Sequence, residues 1–321
     1  MKSLSPKVLA TVGIVAASAL WGASFVTQKI AGYHMGSFTY NGIRFLLGAL
    51  SLCPVILALE RKALSADSPT EQTKPSPAII RRTWLAGLGG GVIIFIAANL
   101  QQFGIVLSRS PSSASEAGFI TGLYTIFVPV FGLALGRKAG LPVWLGAALA
   151  FAGLAMISIG SAGDAGPGVL ASVQPSDLLL VLCAMVWAVH ILYIDKFAQS
   201  VSPVRFTAAK FTVSGILSVI CALVFEDVSV RGLMDGAMPL LYGGIAASGI
   251  AYTLQVLGQR RVAPSRAAII FSLESLFAAV SEAVFLGVAM TAQKYAGGAV
   301  ILSGILLSQH KKRDKGGGSV L

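Results

Sequence analysis

Long apolar stretches alternate with short polar segments along the 321-residue chain. Each apolar stretch holds about 20 residues, which as an α-helix would cross the ~30 Å hydrocarbon core of a bilayer. The pattern predicts ten transmembrane helices, at 7–28, 38–59, 83–107, 114–136, 141–160, 177–195, 203–225, 238–258, 265–288 and 291–309. We therefore expect an all-α polytopic membrane protein.

The composition agrees with this pattern. Hydrophobic residues make up 55% of the chain and charged residues only 12%, whereas a soluble protein carries about 25% charged residues. Lys2 and Lys7 precede the first stretch, as in a signal peptide, but the similar stretches that follow favour a permanent first helix. The cysteines at 53, 183 and 221 fall within predicted helices, where packing is favoured over a disulfide or metal site.

Lysine and arginine are unevenly distributed among the predicted loops. The chain has 24 such residues and a net charge of +11. If both termini are cytoplasmic, the outside loops hold only Lys29, Arg109, Arg231 and Lys294. This bias is the positive-inside rule, and it predicts cytoplasmic termini rather than nucleic-acid binding. The basic tail at 311–315 is expected to contact anionic lipid headgroups.

The second half of the chain repeats features of the first. The equivalent pairs are Trp21 and Trp187, Arg44 and Lys210, Phe45 and Phe211, Gln101 and Gln255, Gly146 and Gly297, and Gly153 and Gly304. The predicted repeats, 7–160 and 177–309, hold five helices each. Because five is odd, the second copy enters the membrane from the opposite side. Two inverted five-helix repeats make inward- and outward-open states near mirror images of each other.

Several short motifs resemble one transporter family. They are Trp21-Gly22-Ala23-Ser24-Phe25, Arg44-Phe45, the run at 118–124 and Leu273-Glu274. In order and spacing, over 8–309, the chain resembles the EamA-type permeases of the drug/metabolite transporter (DMT) superfamily. The resemblance implies a bacterial inner-membrane transporter, often an exporter of amino acids, other metabolites or drugs. It also implies a central cavity lined by the first, third, fourth, sixth, eighth and ninth helices.

The chain departs from that family in the ninth predicted helix. The family often has Glu-Pro where this chain has Glu274-Ser275. Proline interrupts helical hydrogen bonding and causes kinks. The sequence therefore predicts that a kink at this place is lost.

Ionisable residues inside predicted helices need an explanation, because a charge within a bilayer costs about 2.5 kcal/mol or more. They are Arg44, Lys210, Glu274 and Glu282. Arg44 and Lys210 lie at matching depths from opposite boundaries, so a role in packing or headgroup anchoring and a role in attracting an anionic substrate both remain open. Glu274 lies near the midplane, where it could bind substrate or a proton, or lock neighbouring helices as a neutral or paired carboxyl. Glu282 lies two turns further out and is a second candidate for the same pathway.

Aromatic residues are candidates for the wall of the substrate site. Trp21, Tyr124, Trp187 and Tyr252 fall on helices that the resemblance assigns to the cavity, and Ser24 lies in the same motif as Trp21. Aromatic faces can stack on a planar or cationic substrate. Core packing or an interfacial aromatic belt is an equally open interpretation.

Three further polar residues belong to the predicted site. His190 lies one turn after Trp187, as a hydrogen-bonded side chain or a proton relay. Gln101 and Gln255 occupy equivalent positions, and a buried amide needs a partner. Bracing of the helices and contact with substrate are both open for these two amides.

The sequence favours transport over catalysis, because it contains no phosphate loop, nucleophile elbow or metal-ligand cluster. We expect no metal and no cofactor. The predicted function is a secondary transporter, by family resemblance an exporter, of small metabolites such as amino acids or drug-like amphipathic compounds. The expected partners are a small-molecule substrate and membrane lipids, and the expected assembly is a monomer or homodimer in the cell inner membrane. The alternative is a non-transporting membrane scaffold or lipid-binding partner protein.

Overall fold

The computed structural model describes residues 5–64, 76–109, 113–159, 174–288 and 292–309. Over these residues the chain is helical and forms no β-strand. The helices are α1 (Pro6–Ala31), α2 (Ser37–Leu64), α3 (Pro77–Leu107), α4 (Ser113–Thr121), α5 (Tyr124–Ala134), α6 (Leu141–Ile159), α7 (Pro175–Phe197), α8 (Pro203–Phe225), α9 (Val230–Asp235), α10 (Ala237–Leu241), α11 (Ala251–Gln259), α12 (Pro264–Phe271), α13 (Leu273–Leu286) and α14 (Ala292–Gln309). A π-helical segment, Tyr242–Ile250, joins α10 to α11. The predicted basic tail at 311–315 lies outside the described residues.

The all-α membrane class is confirmed. Eight helical segments of the described chain are long and apolar enough to cross a membrane. The fifth and tenth predicted helices correspond to α6 and α14, whose apolar parts, Leu141–Met156 and Tyr295–Ser308, are shorter. The chain is therefore a multi-pass membrane protein, while ten crossings in two repeats stay a prediction.

Proline marks the start of many of these helices. The prolines in the first turns of α1, α3, α7, α8 and α12 are Pro6, Pro77, Pro175, Pro203 and Pro264. A proline there loses no helical hydrogen bond, and its fixed φ angle suits the helix. Ser5 and Ser76 also cap α1 and α3, because each side chain accepts a hydrogen bond from a backbone N–H of the first turn.

Two predicted helices are interrupted near their middle. The fourth is divided into α4 and α5 at Gly122 and Leu123, and the ninth into α12 and α13 at Ser272. Tight turns replace the regular helical bonds, since Thr125 N donates to Gly122 O and Ser275 N donates to Ser272 O. The two breaks lie at equivalent places of the predicted repeats.

The expected loss of a kink in the ninth helix is wrong. Ser272 Oγ donates to Ile269 O over 2.7 Å, and Ser275 Oγ donates to Gly118 O of α4 over 2.5 Å. Hydroxyl groups that bond to backbone carbonyls compete with the helical ladder and bend helices. The ninth predicted helix is therefore broken at Ser272 even though Ser275 stands where the family often has proline, and serine hydroxyl contacts accompany this break.

Equivalent residues of the two halves meet where the halves pack together. The rings of Phe45 and Phe211 stack, with centroids 5.2 Å apart and planes 9° apart. Where α6 crosses α14, Gly146 lies against Gly304 and Gly153 lies against Gly297. This crosswise pairing is the pattern that a two-fold axis between the halves would produce.

Replacing Gly153 with alanine is expected to lower the thermal stability of the protein. A Cβ atom at Gly153 would lie 2.5 Å from the carbonyl oxygen of Gly297, so α6 and α14 would have to separate. Overpacking of this kind costs typically about 1–3 kcal/mol. The measurement is the unfolding midpoint in detergent. Gly132→Ala is the control, since the nearest atom to a Cβ there would be 3.9 Å away. Equal midpoints for the two variants would contradict the close packing.

Candidate functional site

A cavity lies between helices of both halves. Its lining residues are Trp21, Ser24, Phe25, Gln28, Arg44, Gln101, Thr121, Tyr124, Trp187, Ile191, Tyr252, Gln255, Phe271 and Glu274. The predicted substrate-binding residues all belong to this set, with the exception of His190. The sequence pattern thus selected side chains that the fold brings together, although their role stays a prediction.

Aromatic rings form much of the cavity wall. Trp21 lies with its ring centroid 4.8 Å from Tyr252 and 5.3 Å from Phe271. The indole N–H of Trp21 donates to Ala247 O over 2.9 Å. The indole N–H of Trp187 is also bonded within the protein, so both polar ring atoms are satisfied and the apolar ring surfaces remain to line the cavity.

The two equivalent glutamines have different surroundings. Gln101 Oε1 accepts from Trp187 Nε1 over 2.8 Å, and its Nε2 donates to Gln28 Oε1 over 3.0 Å. Gln28 in turn donates to the backbone oxygen and hydroxyl of Ser24. Gln255 Oε1 is buried without a partner among the described residues. Both polar ends of Gln101 are therefore bonded within the protein, whereas the side-chain oxygen of Gln255 has no partner among the described residues.

Glu274 is the carboxylate of the cavity lining. It is 5% exposed, and Tyr124 donates its phenolic hydroxyl to Glu274 Oε1 over 2.9 Å. Tyr124 is the first residue of α5 and Glu274 the second residue of α13, so the contact joins the two segments that follow the helix breaks. Within the described part of the chain Glu274 makes no ion pair, and Lys210 contacts a different residue.

Arg44 is the cation of the cavity lining, and it is held by a chain of amides. It is 4% exposed and donates Nε–H to Asn41 Oδ1 over 2.9 Å. Asn41 donates to Asn99 Oδ1 over 2.9 Å, and Asn99 donates to Ser218 Oγ over 3.2 Å. The guanidinium carbon lies 4.5 Å from the centre of the Phe45 ring. These contacts orient Arg44 inside the protein.

Lys210 is completely buried and lies outside the cavity lining. Its Nζ is 3.5 Å from Nε2 of His190, which is also completely buried. Helix packing therefore turns both Arg44 and Lys210 inward, which agrees with the packing interpretation of the two cations better than with headgroup anchoring. His190 contacts this lysine instead of lining the cavity.

Glu282 does not reach the cavity either. It is completely buried, and it accepts a hydrogen bond from Ser115 of α4. This contact ties α13 to α4. Glu282 thus lies among helix-packing contacts outside the lining of this cavity, and its place on the substrate pathway stays a prediction.

Some lining residues were not predicted as site residues. Gln28 lies one turn after Ser24 and two turns after Trp21, so helical spacing places all three on one face. This spacing was the signal that could have identified Gln28. It was overlooked because Gln28 is the last residue of the predicted first helix. Thr121 lies at the break after α4, and its hydroxyl has no partner among the described residues. Hydropathy alone carries no signal for such a break.

The described residues contain no group of three or more His, Cys, Asp or Glu side chains that could hold a metal ion. The three cysteines are free, with Cys183 buried, Cys221 half-buried and Cys53 exposed. Cys183 packs inside the main core cluster.

Known proteins resemble this chain over nearly its whole length. The model of the EamA-like transporter family matches residues 8–159 and 174–309. An uncharacterized transporter of Archaeoglobus fulgidus is 24% identical over 305 residues, which cover 94% of this chain and 86% of that protein. The uncharacterized transporter YoaV of Bacillus subtilis is 20% identical over 264 residues, which cover 81% of this chain and 83% of that protein.

A solved crystal structure has the same fold. It superposes with a TM-score of 0.70, covering 94% of this chain and 96% of that chain, at 19% sequence identity. At this identity the likeness concerns the arrangement of the helices.

Proposed function

Because the chain belongs to the EamA-like transporter family, we propose that this membrane transporter carries a small amphipathic metabolite across the bacterial inner membrane by alternating access. The observation that carries the proposal is the cavity between the two halves. It combines one carboxylate, one guanidinium and several aromatic rings. Ligand sites are typically apolar hollows with a few convergent polar groups.

The charges and rings of the cavity suit an amphipathic molecule such as an amino acid or a drug-like compound. Glu274 can accept from an ammonium group, and Arg44 can donate to a carboxylate. The aromatic wall around Trp21 and Tyr252 can enclose an apolar body. Gln255 offers a further acceptor.

The alternating-access part of the proposal rests on two inverted repeats, 7–160 and 177–309, with both termini cytoplasmic. The stacked pair Phe45 and Phe211 and the crosswise glycine contacts of α6 and α14 support it. The breaks in the fourth and ninth predicted helices support it too, because discontinuous helices commonly form substrate sites at repeat interfaces. The family resemblance favours export as the direction of transport. The expected assembly stays a monomer or homodimer.

Reconstitution tests the proposal. The full chain is placed in sealed liposomes, and radiolabelled amino acids and amphipathic amines are offered inside or outside. We expect saturable movement of at least one solute down its gradient, absent from protein-free liposomes. If no solute moves under any gradient while the protein binds another membrane component, a scaffold or lipid-binding protein becomes the better conclusion.

A further inference from the structure

The two equivalent cations differ in their access to the cavity. Arg44 lines the cavity, whereas Lys210 does not. They share an aromatic neighbour on their own helix. The residue one turn earlier is aromatic in both helices, with Tyr40 centred 5.1 Å from the Arg44 guanidinium and Phe206 centred 4.8 Å from Lys210 Nζ.

One aromatic ring contacts both the cavity and Lys210 in the present state. Tyr252 lines the cavity, and its ring centre lies 5.5 Å from Lys210 Nζ. A rearrangement of the helices around Tyr252 would therefore be enough to bring Lys210 to the cavity.

Lys210 also lacks a counter-charge. It makes no ion pair among the described residues, and its hydrogen-bonding partner is His190. The Nδ1 of His190 has no partner in the described chain. The hydroxyl of Thr207, one turn before Lys210, is also buried and unpaired there. A buried cation without a counter-charge is costly, so an anion that reaches it in another state would offset this cost.

Inverted repeats supply such a state. In alternating access the two halves exchange conformations, so each half adopts the arrangement that its counterpart had before. The half that now exposes Arg44 would then cover it. The half that now covers Lys210 would expose it.

We propose that Lys210 and His190 form a second subsite for the anionic group of the substrate, open to the cavity only in the state opposite to the one described. Arg44 binds the same group in the present state, and the two cations hold it alternately on either side of the stacked Phe45 and Phe211. The proposal rests on the proposed function, since it requires alternating access. It names the substrate class as molecules with a carboxylate or comparable anion.

Accessibility of introduced thiols tests the alternation. Arg44→Cys and Lys210→Cys are made separately in full-length protein whose native cysteines are replaced by alanine. The probe is 2-sulfonatoethyl methanethiosulfonate, a charged reagent, applied to either face of sealed vesicles of known orientation. We expect the Arg44→Cys protein to react from one face and the Lys210→Cys protein from the other. Ile216→Cys is the control, because this exposed residue of α8 faces the apolar surroundings of the bundle and should react from neither face.

The anionic class is tested with Lys210 in place. Thr207→Cys provides a thiol one turn away, and its reaction rates with the anionic reagent and a trimethylammonium-bearing analogue are compared. A nearby cation should favour the anionic reagent by roughly tenfold or more. Adding Lys210→Met should remove most of this preference, whereas Lys210→Arg should keep it.

Each outcome decides the proposal. Reaction of the two variants from opposite faces, together with a charge preference that depends on Lys210, supports it. Reaction of both variants from the same face, no reaction of either, or a preference that survives Lys210→Met overturns it. Solute movement by the unmodified protein is measured in parallel. Movement with a negative labelling result removes the second subsite alone, whereas absence of movement removes the transport proposal itself.

Discussion

Glu274→Gln is expected to lower the transport rate at least about tenfold and to change how the rate depends on pH. Glu274 is the carboxylate of the cavity lining. Among the described residues its hydrogen-bonding partner is the phenol of Tyr124 rather than a cation. Removing a charged hydrogen-bond acceptor costs roughly 1.5–3 kcal/mol, which corresponds to about tenfold or more. Glutamine has nearly the same shape and can still accept from Tyr124, so the fold should persist.

The measurement is solute flux in proteoliposomes between about pH 5 and 8. Buried carboxyl groups commonly titrate within this range. Glu282→Gln is the matched comparison, because it neutralises another buried carboxyl of α13 that lies outside the cavity lining. We expect a clearly smaller loss of flux for that variant. An unchanged rate together with an unchanged pH profile in Glu274→Gln would remove Glu274 from the mechanism.

Arg44→Met is expected to raise the KM for carboxylate-bearing solutes by roughly one hundredfold. A guanidinium forms charge-assisted and often bidentate hydrogen bonds with a carboxylate, and two such bonds contribute about 3 kcal/mol. Burial strengthens this interaction, because little water competes at a side chain that is 4% exposed. Methionine fills similar space without the charge.

Two companion variants separate charge from position. Arg44→Lys keeps the cation and should recover part of the affinity. Asn99→Leu leaves Arg44 in place but removes the amide that connects Asn41 to Ser218, and we expect a smaller rise in KM with little change in kcat. An Arg44→Met protein that elutes as a single folded species and retains the original KM would contradict the assignment. So would a wild-type protein whose transported solutes all lack an anionic group.

Helix positions were predictable from the sequence because lipid exposure demands apolar side chains over a fixed length. The predicted ranges agree closely with α1, α7 and α8. The breaks at Gly122 and Ser272 were not predictable from hydropathy, because an apolar residue scores the same in a continuous and in a broken helix. Hydroxyl contacts such as that of Ser275 with Gly118 accompany the breaks, and they exist only after α4 and α13 have packed together.

Site residues were predictable where repetition or helical spacing marked them. Trp21 and Gln101 were found through their counterparts, and the structure brings both to the cavity. Lys210 is a case in which repetition was not enough. Its equivalence to Arg44 predicted a matching depth in the membrane, yet of these two buried cations only Arg44 lines the cavity.

The sequence by itself determined the membrane class, the approximate helix ranges and most of the residues that surround the cavity. These follow from hydropathy, charge bias and internal repetition, which are local properties of the chain. Tertiary structure decided which polar groups meet. Glu274 meets Tyr124, Lys210 meets His190, and Glu282 meets Ser115. The physical reason is that buried polar groups must find partners on other helices, and the rotation and crossing of those helices depend on packing between residues far apart in the chain.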